Sequence, residues 1–196
     1  MGRREQELRE GERLLWSGQP GETSLLEPGN SRRILTWEML VPVLAAALLC
    51  LSMLLSGVVR WIAFGGIALG AAVLLFLPVW ERRRVLGQRY QITTQRVLLE
   101  EAGGKVRSLE LSQVDVWRRV TGFSDGGDCL VLGSRLFRDA AKRLRWRAGH
   151  PSAGRQGVLR GLVLYGLSEA DTAAQALREC GCPQWQETEQ AAKETE

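Results

Sequence analysis

The sequence predicts an α+β membrane protein, in which a two-helix transmembrane hairpin precedes a small, strongly bent antiparallel sheet that a C-terminal helix closes. Two apolar runs, at residues 39–59 and 61–80, contain no charged residue and no His, and only Arg60 separates them. Alternating apolar residues then follow, and a helical period begins near residue 168. The mean hydropathy of -0.11 averages a membrane part and an aqueous part, and so hides the first.

Each apolar run predicts one membrane-spanning helix. At about 1.5 Å per residue, a helix of this length crosses the roughly 30 Å hydrocarbon core. The connection at residues 56–60 is so short that the two helices must be antiparallel. Gly66 and Gly70 stand four residues apart, a spacing that permits close helix packing, and alanines 45–47 are the candidates to meet them.

The basic residues beside the spans predict the orientation of the hairpin. Positive charge accumulates on the cytoplasmic side of membrane helices. The connection carries only Arg60, whereas six arginines stand at the other ends of the helices: Arg32, Arg33, Arg82, Arg83, Arg84 and Arg89. We therefore expect a multi-pass protein of the inner (cytoplasmic) membrane with both termini cytoplasmic. The spans lack ionisable groups, which favours an anchor over a transporter or a channel.

Alternation with a period of two predicts strands after the hairpin. They are expected at residues 90–93, 96–101, 106–111, 114–120, 129–132 and 158–167. Gly103 and Gly104 indicate a hairpin turn, and residues 122–127 a second one. No helix-length segment separates the early strands, so the sheet is expected to be antiparallel.

A closing helix is predicted after the last strand. Ser168 is the expected N-cap, with Asp171 three residues on as an acidic capping box. Apolar positions recur at Ala173, Ala174 and Leu177, and Gly181 followed by Pro183 ends the helix. The expected organisation is a cytoplasmic N-terminal segment at 1–38, the hairpin at 39–80, the sheet domain at 81–183 and a polar tail at 184–196.

The order of these elements resembles that of the bacterial pleckstrin-homology-like domains of the DUF304 (YdbS-like) type, which occur in membrane-anchored proteins. The residues that carry the resemblance are 11–20 (GERLLWSGQP), 90–97 (YQITTQRV), 109–114 (LELSQV) and the helix from Ser168. The resemblance implies a seven-stranded, PH-like bent barrel closed by a C-terminal helix, with no established catalytic activity. Residues 135–156 depart from the family pattern, and residues 144–147 are the best candidate for a strand there.

A basic segment supplies the candidate binding residues. Residues 118–160 contain ten Lys or Arg and three Asp, a local excess of +7. Anionic lipid attracts such a segment, and apolar side chains within it favour shallow insertion. The candidate lipid- or partner-binding residues are Arg138, Lys142, Arg143, Arg145, Trp146 and Arg147. A solvated charged loop, or the positive-inside bias extended, is the alternative explanation.

Catalytic and metal patterns are weak in this chain. Residues 122–126 match G-x-S-x-G, which would make Ser124 a nucleophile and His150 its base, but a hairpin loop fits the same residues better. A zinc site needs about four ligands, and besides Cys180 and Cys182 the chain offers only Cys129 and one His for it, so helix-end cysteines without a metal are the preferred interpretation. We expect no enzyme activity, no metal and no cofactor.

The sequence thus favours a membrane-anchored, non-catalytic interaction or scaffolding module on the cytoplasmic face. The alternative is a peripheral anionic-lipid-binding module that uses the basic 135–155 segment. The expected partners are membrane lipids and a membrane or cytoplasmic protein, self-association remains open, and nucleic acid is not expected.

Overall fold

The computed structural model describes residues 8–134 and 161–185. Within those ranges the chain forms three helices, seven strands and one short 3-10 turn. In chain order they are β1 (Leu14–Gly18), α1 (Pro28–Ser52), α2 (Gly57–Leu86), β2 (Arg89–Thr93), β3 (Arg96–Glu100), β4 (Val106–Glu110), the 3-10 turn (Leu111–Gln113), β5 (Trp117–Ser124), β6 (Gly127–Leu132), β7 (Leu162–Leu167) and α3 (Ala170–Glu179).

The helices α1 and α2 are both long enough and apolar enough to cross a membrane. They extend well beyond the apolar runs, because α1 begins at Pro28 and α2 continues to Leu86. The connection lies at residues 53–56, earlier than predicted, and Arg60 is already inside α2, where its Nε donates to the carbonyl of Leu55 at 2.8 Å. An apolar run predicts only the part of a helix that suits lipid. Charged residues at its end can continue the same helix into water.

Two polar contacts join α1 to α2. The indole Nε1 of Trp37 donates to the carbonyl of Leu74 at 3.1 Å, and the guanidinium of Arg33 pairs with Glu81. The expected packing of Gly66 and Gly70 against α1 is wrong, since a Cβ at either glycine would meet nothing within 4 Å. Small residues permit close helix packing, but they do not determine which face of a helix contacts the neighbouring helix.

The strands form two antiparallel sheets, ordered β1-β2-β3-β4 and β5-β6-β7. Their buried side chains and those of α3 belong to one hydrophobic core, in which Trp117, Tyr90 and Leu130 are fully buried. The described residues form no closed barrel, because no ladder joins β4 to β5. The 3-10 turn follows β4 directly, and β5 starts only at Trp117 instead of near residue 114.

Strand β1 was not predicted from the alternation of apolar residues. It pairs with β2 in antiparallel register, with Trp16 opposite Ile92 and Gly18 opposite Tyr90. The chain therefore leaves the sheet after β1, forms both apolar helices, and returns to the neighbouring position as β2. The helical hairpin is an insertion between two paired strands.

The start of α3 differs from the prediction. The helix begins at Ala170 after Glu169, and no side chain caps it. Asp171, expected in a capping box with Ser168, instead accepts a hydrogen bond from Arg119 of β5 at 2.5 Å. The predicted end is confirmed, since Gly181 adopts a φ of +75° and the Cys182 amide donates to the carbonyl of Leu177.

The segment between β1 and α1 packs closely on the second sheet at Gly21. Its amide donates to the carbonyl of Gly166 at 2.7 Å, and a Cβ on Gly21 would clash with the backbone carbonyl of Gly126. We expect Gly21→Ala to lower the free energy of unfolding by about 1–3 kcal/mol, the usual effect of overpacking against backbone. Thermal unfolding of the full-length protein in detergent measures it.

Gly103→Ala is the matched control, because a Cβ there meets nothing within 4 Å. A Gly→Ala change at such a site stabilises by about 0.4–1 kcal/mol through the unfolded chain. Equal melting temperatures for the two variants would contradict the close approach at Gly21.

Candidate functional site

A buried carboxyl group lies at the base of α1. Glu27 immediately precedes the helix, and none of its surface is exposed. Three side chains donate hydrogen bonds to its carboxylate: the hydroxyl of Tyr165, the Nδ2 of Asn30 at 2.6 Å and the Oγ of Ser124 at 2.9 Å. We call Glu27, Asn30, Ser124 and Tyr165 the junction cluster.

Each member of the junction cluster comes from an element whose position the backbone fixes. Pro28 suits the first turn of a helix, where its missing N–H costs nothing, and the carbonyl of Glu27 accepts from the amides of Asn30 and Ser31. Ser124 ends β5 and Tyr165 lies in β7. The cluster therefore joins the start of an apolar helix to two strands of the second sheet.

The environment of the junction cluster favours the neutral acid. Burial raises the pKa of Glu27 above its ordinary value, and the nearby charge of Asp125 acts in the same direction. The hydrogen bonds from Tyr165, Asn30 and Ser124 oppose that rise without cancelling it. Burial and the contact with Glu27 also raise the pKa of Tyr165, which therefore stays a donor.

Further contacts hold the bases of α1 and α2 beside the junction cluster. Arg82 donates from Nε to the carbonyl of Thr23 at 2.8 Å, and the amide of Ser24 donates to Asp125 in the β5–β6 turn. The ring of Phe123 in β5 lies against Gly29 in the first turn of α1. Arg82 thus ties the base of α2 to the β1–α1 segment, and Phe123 packs against the base of α1.

A second buried carboxylate fixes the N-terminal segment to the first sheet. Glu12 accepts from the Nε of Arg96 at 2.8 Å, from a second guanidinium nitrogen of Arg96 at 3.0 Å, and from the Thr93 hydroxyl at 2.7 Å. The amide of Arg9 adds another bond at 2.7 Å. The hydrogen bond from Arg96 is the main cause that lowers the pKa of Glu12 to about 2. This bidentate pair stays ionised at neutral pH.

The geometry around Ser124 is that of a hairpin. Strand β5 ends at Ser124 and β6 begins at Gly127, so the predicted turn is confirmed, and the strand-to-helix turn of a nucleophile elbow is not found there. The Ser124 hydroxyl donates to Glu27. His150, its hypothetical base, lies outside the described residues.

The four cysteines are free. Burial raises the pKa of Cys129 to about 12, and the pKa values of Cys180 and Cys182 are raised by burial as well. Within residues 8–134 and 161–185, no group of His, Cys, Asp and Glu side chains could hold a metal ion. In this state the thiols act as apolar core groups rather than as ligands or nucleophiles.

The candidate binding residues of the basic segment lie outside the described residues. They are Arg138, Lys142, Arg143, Arg145, Trp146 and Arg147. Of the arginines counted with them, Arg118 and Arg119 are described, and Arg119 binds Asp128 at 2.6 Å and Asp171 at 2.5 Å. The charge of Arg119 is therefore neutralised within the sheet domain and adds little to a basic surface.

The sequence patterns did not predict the junction cluster. Glu27 and Asn30 stand in a Pro- and Gly-containing stretch that has no apolar period, while Ser124 and Tyr165 are far from it in sequence. The usable signal was Pro28, which predicts a helix start well before the apolar run at residue 39. A helix that begins there places Glu27 at the sheet domain instead of at the membrane.

Comparison with family models, with curated proteins and with solved structures gave no match in any of the three. The resemblance to pleckstrin-homology-like domains therefore rests on the order of the elements and on the residues quoted for it.

Titration of Glu27 should make the protein less stable as pH rises. A carboxyl whose pKa is raised by folding contributes most below the unfolded value of 4.5, and that contribution is lost as pH rises through the folded pKa. We expect Glu27→Gln to flatten the fall in melting temperature as the pH rises from 4.5 towards neutral. The amide keeps an acceptor for Tyr165 and Asn30 and offers a donor to Ser124.

Glu27→Ala is the contrasting variant, because it removes the carboxyl acceptor that Tyr165, Asn30 and Ser124 share. Its free energy of unfolding should fall by about 1–3 kcal/mol at every pH. A Glu27→Gln protein whose melting temperature follows that of the wild type across this range would contradict the raised pKa.

Glu12 should act in the opposite direction at lower pH. Its pKa falls from 4.5 to about 2 on folding, so its stabilisation is complete above pH 4.5 and is lost as pH drops towards 2. We expect Glu12→Gln to lower the free energy of unfolding at pH 7 by roughly 3 kcal/mol, since it leaves the partly buried Arg96 without its anion. Denaturation curves between pH 7 and pH 2 test this, with the exposed Glu10→Gln as the control. An unchanged acid transition in Glu12→Gln would refute it.

Proposed function

We propose that this protein is a membrane-anchored, non-catalytic interaction module of the pleckstrin-homology-like type, held on the cytoplasmic face of the inner membrane. The observation that carries the proposal is the insertion of two apolar helices between the paired strands β1 and β2. Because both ends of the hairpin return to one sheet, the hairpin positions the domain as well as attaching it.

The arrangement of the strands supports the pleckstrin-homology-like assignment. Four strands form one antiparallel sheet, three form another, and an amphipathic helix packs on their shared core. That order corresponds to the expected seven strands and closing helix. The proposed domain also includes β1, which lies before the hairpin in sequence.

An open sheet edge supports the interaction role. Strand β4 is the last strand of its sheet, and no described strand pairs with its outer side. The amide of Glu101 donates to Lys105, and that of Leu111 donates to Gln95, so alternation leaves the outward backbone groups at Val106, Ser108 and Glu110. A partner segment can add there as a further strand.

The placement of the protein is tested by topology. Single cysteines at Leu54 in the connection and at Leu14 in β1, each in a Cys-free background, report the two sides of the membrane. We expect an impermeant maleimide to label position 54 in intact cells and position 14 only after permeabilisation. Labelling of position 14 in intact cells, or release of the protein by carbonate, would overturn the proposed anchoring.

The open edge is tested by Ser108→Pro. Proline removes an outward N–H and obstructs an added strand, whereas the ladder from β4 to β3 uses the alternate residues. A photo-crosslinker at Val106 should give an adduct in native membranes that Ser108→Pro reduces at least tenfold. Thr172→Pro in the first turn of α3, away from this edge, is the control and should leave the adduct unchanged. An adduct that survives Ser108→Pro would refute docking at β4.

A further inference from the structure

We infer that the bases of α1 and α2 carry a binding surface for the headgroups of anionic phospholipids, formed by Arg32, Arg83 and Arg84. This inference rests on the proposed membrane anchoring and adds a ligand class and its residues. We call these three side chains the arginine collar. They are distinct from the basic segment after Leu132.

Depth along α2 places the collar in the headgroup layer. Trp61 and Trp80 stand near the two ends of the apolar part of α2, and both side chains are largely exposed. Their separation of 19 residues in sequence corresponds to about 29 Å of helix, close to the roughly 30 Å hydrocarbon thickness. Exposed tryptophans favour the two membrane interfaces. Arg83 and Arg84 follow Trp80 by three and four residues, about 5–6 Å further along the axis.

The lipid-facing stripe of α2 leads directly to the collar. Phe76 is 71% exposed and Trp80 is 75% exposed, and they lie four residues apart on one face. Arg83 and Arg84 continue that face by one more turn. Arg84 reaches Glu101 at 3.6 Å with 54% of its side chain exposed, whereas the guanidinium of the exposed Arg83 has no hydrogen bond or ion pair to another residue of the described ranges.

Helix α1 repeats the pattern. Val43 is 66% exposed and Met39 is 73% exposed, and Leu35 continues the same face at four-residue spacing. Arg32 lies three residues before Leu35 and is exposed, and its guanidinium has no hydrogen bond or ion pair in the part of the chain that the structure describes. Each helix thus ends its lipid-facing stripe with a guanidinium that makes no polar contact within residues 8–134 and 161–185.

The ion pair between Arg33 and Glu81 sets the two helix bases at the same depth. Arg32 is the neighbour of Arg33, and Arg83 is two residues, about 3 Å of helix, beyond Glu81. The three collar side chains therefore lie in one layer around the hairpin, and Glu81 is already occupied by Arg33. Each guanidinium can bind a phosphate through two parallel N–H bonds.

Charge selects the class of lipid. A zwitterionic headgroup compensates its phosphate with its own ammonium, whereas phosphatidylglycerol keeps a net negative charge. A basic group at the membrane surface gains about 1 kcal/mol from anionic lipid, or about fivefold in affinity. The collar should therefore prefer phosphatidylglycerol to phosphatidylcholine by up to about a hundredfold for its three members.

The experiment titrates the detergent-solubilised full-length protein with phosphatidylglycerol or with phosphatidylcholine and counts the bound lipids by native mass spectrometry. We expect the wild type to retain phosphatidylglycerol preferentially, and the triple Arg32→Gln, Arg83→Gln, Arg84→Gln variant to lose the preference. The triple Lys variant keeps the charges and should keep part of it. Arg13→Gln, an exposed arginine at the far end of the β1–β2 pair, is the control and should behave as the wild type.

Equal retention of the two lipids by the wild type, or an unchanged preference in the triple Gln variant, overturns the collar. Carbonate extraction of the same proteins separates this outcome from a failure of the anchor. A wild type that stays in the membrane pellet and binds both lipids equally rejects the collar alone. A wild type released as a soluble protein rejects the anchoring and the collar together.

Discussion

The pairing of β1 with β2 is the constraint on which the rest of the structure depends. Four register positions join the two strands, and the whole helical hairpin lies between them in sequence. Without this ladder, the only chain connection from the hairpin to the first sheet would be that from α2 to β2, which permits rotation. With it, both helix bases start at one sheet edge, and the side chains of Glu12, Glu27 and Arg82 are brought to the positions where they bind.

The two buried carboxyl groups, Glu12 and Glu27, have environments that favour opposite protonation states. Glu12 meets a guanidinium in bidentate geometry, so the charged form is stabilised and the N-terminal segment is held at any ordinary pH. Glu27 meets only neutral donors, and burial favours its neutral form. A charge at Glu27 would place an anion between α1 and the second sheet. The junction is therefore the more sensitive of the two attachments to pH.

Sequence patterns predicted the elements in which apolar and polar residues alternate or form separate segments. Alternation identified β2, β3, β4, β6 and β7, and the apolar runs identified both long helices, because in each case one face or one segment differs in polarity from the next. The same signals could not find β1, whose five residues show a burial pattern too irregular for alternation. They also missed the junction cluster, since hydrogen bonds among four distant polar residues leave no period.

The path of β4 connects the open edge to the membrane setting that we propose. Ala102 in the β3–β4 turn lies against Gly87 at the end of α2, and Glu101 bridges Arg84 of the helix to Arg107 of the strand. Strand β4 therefore begins beside the helix base and runs away from it. A segment that adds to this edge must start at the same level, next to the headgroups. Soluble partners would have to reach that level past the collar, whereas the juxtamembrane segment of another membrane protein is already there, so the edge is better suited to a partner in the same bilayer.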